Sequence, residues 1–208
     1  MGPADRDNVE VEVKLRLASR EDHDKVLAHF ASGLGETHQQ ANHFFDGTGG
    51  ELSARRAVLR VRIYDGDKKA TVTLKTKLSD EAVQGGVSRV GEVEVAVPPA
   101  TAHACVAEPG RLLELEGPVT ELLREHGVTG LVGLGGFDNE RKELRWGDVT
   151  LELDRTAFAH GTLYELECET DDPEALKARM EAELRAAGVR YSLGVTSKYA
   201  NFINGTLL

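Results

Sequence analysis

Charged side chains of one sign recur two residues apart along several segments of the chain. Glu10 and Glu12 begin the series, and Lys14 follows them at the same spacing. The later groups, in chain order, are Arg60 and Arg62, Lys75 and Lys77, Glu92 and Glu94, Glu152 and Asp154, and Glu165, Glu167 and Glu169. Residues i and i+2 of a β-strand project from the same face. Each group therefore predicts one cationic or one anionic patch, provided that its segment is a strand.

The two kinds of patch predict complementary chemistry. Clustered carboxylates are hard oxygen ligands for Mg²⁺ or Mn²⁺. Clustered Arg and Lys side chains hold phosphate oxygens, Arg as a planar fork and Lys as a point charge. A polyphosphate with its divalent metal satisfies both, and this favours metal-assisted phosphoryl transfer with water as the simplest acceptor. A single such pair is often only a solvated face, but six same-sign patches are hard to obtain from a solvated surface.

Alternating apolar residues indicate that these charges lie on strands. In Val9–Leu17, valine and leucine alternate with charged residues, which is typical of a half-buried strand. Further strands are predicted in the segments 58–64, 72–78, 93–97, 131–146, 149–154 and 163–170. We also expect a short strand at 42–46, a loop at 79–91, helical segments within 100–127, an amphipathic helix over 173–187 and a last helix over 197–203.

The predicted architecture is one β-rich α+β domain, with about eight antiparallel strands and helices packed outside. Like charges at this density repel one another on a flat exposed sheet. They are explained if the sheet closes with its charged faces inward around an ionic ligand and its apolar faces outward under the helices. Because no linker or repeat divides the chain, we expect a single domain over residues 9–208, after a flexible N-terminus at 1–8.

The composition restricts the partners and the compartment. The chain has 208 residues and a formal net charge of −10, which disfavours a general binder of nucleic acids or anionic membranes. Cys105 and Cys168 are too few for a disulfide scaffold and fit a reducing compartment. No apolar run approaches the ~20 residues of a membrane span, and residues 1–8 lack the features of a signal peptide. We therefore expect a cytoplasmic protein that is small enough for nuclear entry.

Several residues of reactive type are not predicted to form sites. The seven histidines show no metal-ligand spacing, so most of them are expected at the surface or at helix caps. Cys168 lies between Glu167 and Glu169, so its side chain is expected to point away from the charged face as a buried thiol. The glycine-rich segment 133–136 lacks the strand–turn–helix order of a phosphate loop and predicts a bulge or a close backbone approach.

One signature near the N-terminus, Glu10-Val11-Glu12-Val13-Lys14, resembles that of the triphosphate tunnel metalloenzyme superfamily, also called CYTH domains. The later charge pairs follow in that family's order. Within the superfamily, the chain is most similar to the plant short tripolyphosphatases, essentially over residues 9–203. The stretches that carry this resemblance are 9–17 (VEVEVKLRL), 44–46 (FFD), 54–62 (ARRAVLRVR), 134–139 (LGGFDN), 163–171 (LYELECETD) and 197–199 (SKY).

The resemblance implies a closed eight-stranded antiparallel β-tunnel with a charged lumen, and a role for each charged position. The divalent metal, Mg²⁺ or Mn²⁺, would be bound by Glu10, Glu12, Glu167 and Glu169. The phosphate chain would be bound by Lys14, Arg60, Arg62, Lys75, Lys77, Arg141 and Lys198. The tunnel lining would be supported by Glu92, Glu94, Glu152, Asp154 and Glu165, and the share of Glu165 in metal binding stays open. The catalytic residues would be Glu10, Glu12, Lys14 and Lys198.

The function implied by the resemblance is metal-dependent hydrolysis of inorganic tripolyphosphate with release of orthophosphate. The same superfamily includes thiamine-triphosphatases, RNA and nucleoside triphosphatases, and adenylate cyclases, which remain alternatives. A non-catalytic polyphosphate-binding module is a third hypothesis, although none of the metal-binding Glu residues is missing. We expect a small-molecule polyphosphate as the partner, no nucleic acid duplex, no membrane, and a monomeric protein.

Overall fold

The structure is a computed structural model that describes residues 9–77 and 83–208, without the side chains of Lys77, Val83 and Gln84. The predicted flexible N-terminus at 1–8 lies outside the described residues. The described chain divides into two compact units. Unit 1 contains residues 9, 39–77 and 90–137, and unit 2 contains residues 10–38, 83–89 and 138–208.

Ten strands and six α-helices are present in the described residues. The strands are β1 (Val9–Leu17), β2 (Leu34–Gly47), β3 (Ala57–Tyr64), β4 (Lys69–Lys77), β5 (Val83–Gln84), β6 (Val87–Val97), β7 (Leu131–Trp146), β8 (Val149–Phe158), β9 (Gly161–Glu169) and β10 (Tyr191–Leu193). The helices are α1 (Arg20–His29), α2 (Glu51–Ala54), α3 (Pro99–Ala107), α4 (Pro118–Glu125), α5 (Pro173–Ala186) and α6 (Lys198–Asn204). Short 3-10 turns cover Ala31–Gly33 and Pro109–Leu113. Within the described ranges, no helix is both long and apolar enough to cross a membrane.

All strands belong to one sheet, in the order β10-β1-β9-β8-β7-β2-β3-β4-β6-β5. An additional pairing of β1 with β6 closes this order. The pairings β1–β9, β9–β8, β8–β7, β2–β3, β3–β4 and β4–β6 are antiparallel. Because β5 and β10 are only two and three residues long, eight strands make up most of the sheet. The predicted closed fold of eight antiparallel strands is confirmed.

The core of unit 1 lies between one face of its strands and its helices. Leu59 of β3 and Leu74 of β4 are fully buried and belong to the same apolar cluster as Cys105 of α3 and Leu123 of α4. The period of two along a strand puts the intervening residues on the opposite face, where Arg60 lies between Leu59 and Val61. The apolar faces of these strands therefore pack against helices, as predicted, and the charged residues project from the opposite faces.

Unit 2 repeats this division with other elements. Val13 and Leu15 of β1 pack in one apolar cluster with Val26 of α1 and with Leu176 and Leu184 of α5. The amphipathic helix predicted over 173–187 is α5, which begins after an N-cap at Asp172 and presents its leucines to this core. The charged residues of β1 alternate with the buried valine and leucine residues, so they occupy the other face of the strand.

Two predicted segments have different bounds in the structure. The short strand expected at 42–46 is the last part of β2, which begins at Leu34. The strand is longer than predicted because backbone pairing extends it through a segment without apolar alternation. For example, the amide of Asp65 donates to the carbonyl of Gln39 at 2.8 Å. The loop expected at 79–91 ends earlier, because β6 begins at Val87, and residues 78–82 lie outside the described residues.

Candidate active site

Charged residues of four strands and one helix form a cluster in unit 2, called the unit 2 cluster below. Its members are Glu12, Lys14, Arg141, Glu152, Asp154, Glu165, Glu167 and Lys198. The strand register places several carboxylates directly opposite each other: Glu152 pairs with Glu167, and Asp154 pairs with Glu165. Because opposed like charges destabilise a sheet, this arrangement needs cations among the carboxylates.

Lys198, the first residue of α6, supplies one of these cations. Its ammonium lies 2.8 Å from Asp154 Oδ2, 3.1 Å from Glu165 Oε2 and 2.6 Å from Glu167 Oε1. Lys14 of β1 supplies a second, 2.8 Å from Glu12 Oε1 and 2.7 Å from Glu167 Oε1. Glu167 Oε1 is therefore held between two lysines from elements that are far apart in the sequence.

Arg141 of β7 supplies the third cation and uses the geometry of a planar fork. Its Nε and Nη2 donate to the two oxygens of Asp154 at 2.8 and 2.6 Å, and Nη2 also donates to Glu167 Oε2 at 3.0 Å. Nη1 contacts Glu152. A guanidinium that is fixed on three carboxylates is oriented before any ligand binds, which reduces the entropy lost on binding.

The cluster shifts the pKa values of its members in opposite directions. Burial alone would lower the pKa of Lys14, but Glu12 and Glu167 outweigh it and raise the pKa well above its usual value. Burial alone would raise the pKa of Asp154, but Arg141 and Lys198 lower it to about 2. Burial raises the pKa of Glu152 to about 7 despite the neighbouring Arg141. At neutral pH the cluster therefore keeps Lys14 and Asp154 charged, whereas Glu152 is close to its titration point.

The carboxylates assigned to the metal by resemblance are on the paired strands β1 and β9. Glu12 pairs across β1 and β9 with Glu169, and Glu10 lies two residues before Glu12 on β1. All four predicted ligands are carboxylates, so the donor chemistry fits a hard cation such as Mg²⁺ or Mn²⁺. In the part of the chain that the structure describes, however, no three His, Cys, Asp or Glu residues are grouped closely enough to hold a metal ion. Glu12 and Glu167 are paired with lysines instead.

A second group of charged residues lies in unit 1 and is called the unit 1 cluster. It contains Arg60, Arg62, Lys75, Glu92 and Glu94. Lys75 Nζ is 2.6 Å from Glu92 Oε2, and Arg60 Nη2 is 3.7 Å from Glu94 Oε2. Burial and the neighbouring Arg62 lower the pKa of Arg60 to about 10. Arg60 still carries its charge at neutral pH, so a bound anion would relieve its repulsion from Arg62.

Two uncharged residues that the sequence did not indicate hold the arginines of the unit 1 cluster. Asn42 of β2 accepts a hydrogen bond from Arg62 Nε at 2.7 Å, while its own amide donates to the carbonyl of Gln40 at 3.2 Å. Thr73 of β4 accepts from Arg60 Nη2 at 3.2 Å and donates to Glu94 Oε2 at 2.7 Å. For Thr73 one signal was present in the sequence: it lies two residues before Lys75 and therefore on the same face of the strand.

Most of the predicted site residues belong to these two clusters, and three of them are not assigned to either cluster. Glu10 is half-buried and Glu169 is exposed, and both make interactions with other residues. Lys77 ends β4, and its side chain lies outside the description. Arg16, which shares the charged face of β1 with Glu12, was not among the predicted site residues although its spacing was a signal.

Of the residues predicted not to form sites, Cys168, His29, His103 and the glycine-rich segment are placed as expected, whereas His23 is buried rather than at the surface. Cys168 belongs to the apolar core of unit 2, and burial raises the pKa of its thiol to about 11. His29 and His103 lie 2.7 Å from surface carboxylates of Glu183 and Asp67. A Cβ on Gly136 would meet the carbonyl oxygen of Asn42 at 1.8 Å, so the glycine-rich segment provides a close backbone approach, as predicted.

The fold and the two clusters define the class of protein: an antiparallel β-protein with one helix-covered apolar face and one face of ordered charge pairs, suited to an ionic ligand. The CYTH domain model matches residues 8–192 of the chain, which therefore belongs to the CYTH domain family. The family resemblance noted from the charge pairs is confirmed. No curated protein matches the chain significantly.

Solved structures share the fold at several levels of sequence identity. A Hippeastrum protein that carries an adenylyl cyclase name, and is described as having a dominant triphosphatase activity, is 37% identical, with a TM-score of 0.90 over 96% of this chain and 97% of that chain. A Bacillus halodurans protein named as an adenylate cyclase is 21% identical, with a TM-score of 0.67 over 94% and 98% of the two chains. The Mimivirus capping enzyme triphosphatase is 9% identical, with a TM-score of 0.51 over 87% and 90%. The last two likenesses show the fold alone.

Proposed function

We propose that the protein is a divalent-metal-dependent triphosphatase that hydrolyses inorganic tripolyphosphate to pyrophosphate and orthophosphate. The observation that carries the proposal is the unit 2 cluster, in which Lys14, Lys198 and Arg141 all contact Glu167. Buried cations on one carboxylate are a ready exchange site for phosphate oxygens, which make charge-assisted hydrogen bonds of the same kind. The triphosphatase activity of the similar Hippeastrum protein supports this reaction class.

We assign phosphate binding to the cations of each cluster, taken separately. Arg60 and Arg62 present guanidinium forks, and Lys75 presents an ammonium, on one strand face of unit 1. In unit 2, Lys14 and Lys198 would exchange part of their carboxylate contacts for phosphate oxygens. Because each cation is already oriented by its hydrogen bonds and ion pairs, little side-chain entropy remains to be lost when the substrate binds.

We assign the metal to Glu10, Glu12, Glu167 and Glu169. A bound Mg²⁺ or Mn²⁺ would polarise phosphoryl oxygens and lower the pKa of a coordinated water. The oxygen of water forms the new bond to the terminal phosphorus, and the bridging P–O bond breaks to release pyrophosphate. Lys198 and Arg141 would stabilise the charge that develops on the phosphate oxygens.

The experiment that tests this proposal measures orthophosphate release from tripolyphosphate with Mg²⁺ or Mn²⁺. Glu12→Gln should lower kcat/KM by about a hundredfold or more, because it removes a proposed metal ligand. Glu183→Gln, which changes a surface carboxylate paired with His29, should leave kcat/KM unchanged. A wild-type protein that releases no orthophosphate with any divalent metal would contradict the proposal, and tight binding without turnover would favour a non-catalytic polyphosphate-binding module.

Adenylate cyclase is the second candidate, because the similar Hippeastrum protein carries an adenylyl cyclase name. A panel of tripolyphosphate, ATP, thiamine triphosphate and a 5′-triphosphate RNA, followed for orthophosphate, pyrophosphate and cyclic AMP, separates the candidates. We expect the highest kcat/KM for tripolyphosphate. Cyclic AMP as the main product from ATP, with a higher kcat/KM than that for tripolyphosphate, would favour the cyclase instead.

A further inference from the structure

Arg16 is the fourth charged residue on the ionic face of β1, after Glu10, Glu12 and Lys14, and its guanidinium connects three separate pieces of chain. Only 8% of the residue is exposed. Nη2 donates to Glu165 Oε1 at 3.0 Å and to the carbonyl oxygen of Thr196 at 3.3 Å, and Nη1 donates to the carbonyl oxygen of Leu208. One side chain thus ties β9 to the main chain just before α6 and to the main chain just after it.

The segment around α6 is closed on itself by a second buried side chain. Asn201 is fully buried; its amide donates to the carbonyl of Leu208 at 3.0 Å, and its Oδ1 accepts from the amide of Leu208 at 2.8 Å and from Thr206 Oγ1 at 2.9 Å. The N-cap Ser197 accepts a hydrogen bond from the amide of Ala200. Because the segment is closed in this way, anchoring its two ends to Arg16 fixes the whole of α6.

The first residue of α6 is Lys198. It lies two residues after Thr196, whose carbonyl oxygen accepts a hydrogen bond from Arg16. The ammonium of Lys198 is 3.1 Å from Glu165 Oε2, while Arg16 is bonded to Oε1 of the same carboxylate. Glu165 has no exposed surface and pairs with Arg16 in the β1–β9 register. Arg16 and Lys198 therefore share one buried carboxylate, although 182 positions separate them in the sequence.

Stability alone is a poor explanation for an arginine at this position. Arg16 Nε is buried and has no hydrogen-bond acceptor, which costs free energy, and the guanidinium is taken out of water to pair with the buried Glu165. A planar fork that satisfies acceptors on three pieces of chain is, in contrast, what is needed to fix their relative positions.

We propose that Arg16 is a positioning residue that holds α6 so that Lys198 is placed for the phosphate chain, and that Arg16 acts through Lys198 without touching the substrate. This inference rests on the proposed function of the unit 2 cluster. It differs from a direct role, in which Arg16 would bind phosphate independently of Lys198, and from a purely structural role, in which its loss would lower stability without a specific effect on Lys198.

A double-mutant cycle on Arg16 and Lys198 tests the proposal. The variants are Arg16→Gln, Lys198→Gln and the combination of both, and the measured quantities are kcat and KM for tripolyphosphate and the Kd for tripolyphosphate with a chelator present. We expect Arg16→Gln alone to lower kcat/KM and weaken binding about tenfold, and to change them less than about twofold once Lys198 is Gln. An equal effect in both backgrounds, or none in either, would overturn the proposal.

Hydrogen exchange supplies a readout that does not depend on activity. In Arg16→Gln we expect faster amide exchange in peptides covering 194–208, and unchanged exchange in α5. Arg190→Gln, which removes a contact to the buried Asp22 away from α6, is the matched control and should leave 194–208 unchanged. If Arg16→Gln does not fold, Arg16→Lys keeps the buried charge and takes its place in the cycle.

The outcomes separate the inference from the proposed function. A wild-type protein that neither hydrolyses nor binds tripolyphosphate would overturn both, whatever the exchange data show. Hydrolysis by the wild type, together with unchanged exchange in 194–208 and independent effects of the two substitutions, would overturn only the role of Arg16. Faster exchange together with non-additive loss of binding would support it.

Discussion

Thr73 shows how the charged groups of unit 1 depend on a side chain without charge. Its hydroxyl lies between Arg60, from which it accepts, and Glu94, to which it donates. The residue has no exposed surface, so no water replaces the hydroxyl if it is removed. A buried hydroxyl that joins a cation to a carboxylate fixes both groups at once.

Thr73→Val should therefore weaken substrate binding, because it keeps the shape of the side chain but leaves Arg60 and Glu94 without their bridge. We expect KM for tripolyphosphate to rise about 5- to 20-fold, as for the loss of a hydrogen bond to a charged group. Thr71→Val is the matched control, because Thr71 lies on the same strand face and its buried hydroxyl has no hydrogen-bond partner. Equal KM values for Thr71→Val and Thr73→Val would contradict the prediction.

Asp22, in the first turn of α1, is another buried side chain that joins separate groups by hydrogen bonds. Its carboxylate accepts from the backbone amide of Arg190 at 3.0 Å, from Arg190 Nη2 at 2.9 Å and from Ser19 Oγ at 2.7 Å. Burial alone would raise its pKa, but the hydrogen bonds from Arg190 and Ser19 lower the pKa from 3.8 to about 2. A carboxyl whose pKa is lowered by folding stabilises the folded state at a pH above its unfolded pKa, and this stabilisation is lost as the pH falls through the folded pKa.

Asp22→Asn should lower the free energy of unfolding at pH 7 by about 2 kcal/mol. The difference from the wild type should shrink as the pH falls from about 4 to about 2, because the wild-type carboxyl is then protonated. Chemical denaturation across this pH range measures it. Asp24→Asn, on an exposed side chain of the same helix, should change stability by less than about 0.5 kcal/mol at every pH. A pH-independent loss in Asp22→Asn would contradict the assigned cause.

The pairing of whole strands decided where several elements begin and end. The strand β1 and the helix α5 were predicted within one residue, because their signals, alternation over nine residues and an apolar helical stripe, are local. The long strand β2 had no such signal before Asn42, since its first residues are stabilised by hydrogen bonds to neighbouring strands. Segments whose structure depends on partners far away in sequence are those that local patterns predict least well.

Gly136 of β7 illustrates this dependence on pairing. A Cβ at position 136 would lie only 1.8 Å from the carbonyl oxygen of Asn42, so any larger residue must push the two strands apart. Gly136→Ala should lower the free energy of unfolding by about 2 to 4 kcal/mol, and because Asn42 holds Arg62, it should also raise KM for tripolyphosphate.

Gly133→Ala is the control for Gly136→Ala, since it lies on the same strand and a Cβ there meets no atom within 4 Å. We expect its free energy of unfolding to stay within about 0.5 kcal/mol of the wild type. Thermal or urea denaturation of the two variants side by side makes the comparison. Similar losses in both would show that a general effect of replacing glycine in this strand, rather than the close approach to Asn42, explains the result.

The charge of the molecule is unevenly divided between the predicted site and the remainder. The nine acids and seven bases predicted for the site have a formal charge of −2, so the remaining residues carry −8 of the total of −10. Under the proposed function, a short polyphosphate with its metal would meet mainly the first group. A long polyanion would also be repelled by the second group, because exposed like charges act over a Debye length of about 10 Å at 0.1 M salt.

A 20-base-pair DNA duplex should therefore not inhibit the hydrolysis of tripolyphosphate. We expect less than about a twofold change in kcat/KM at low salt with the duplex in large excess, because the residues outside the predicted site carry a net charge of −8 and repel its phosphates. Tetrapolyphosphate, as a short competitor of the same chemistry, should inhibit under the same conditions. Strong inhibition by the duplex that disappears at high salt would show a basic surface that the net charge does not indicate.

What the sequence determined by itself is the set of charged strand faces. The period of two in a strand turns an i, i+2 spacing into one patch, so the charge pairs and the signs of the patches followed from local order. The family followed from the resemblance of these pairs to a known signature. The structure added the positions of α6, Arg16, Thr73 and Asn42, and it showed that the proposed ligands Glu12 and Glu167 are paired with lysines. These features come from contacts between residues up to 192 positions apart, such as that between Arg16 and Leu208, and only the folded chain brings such residues within hydrogen-bonding distance.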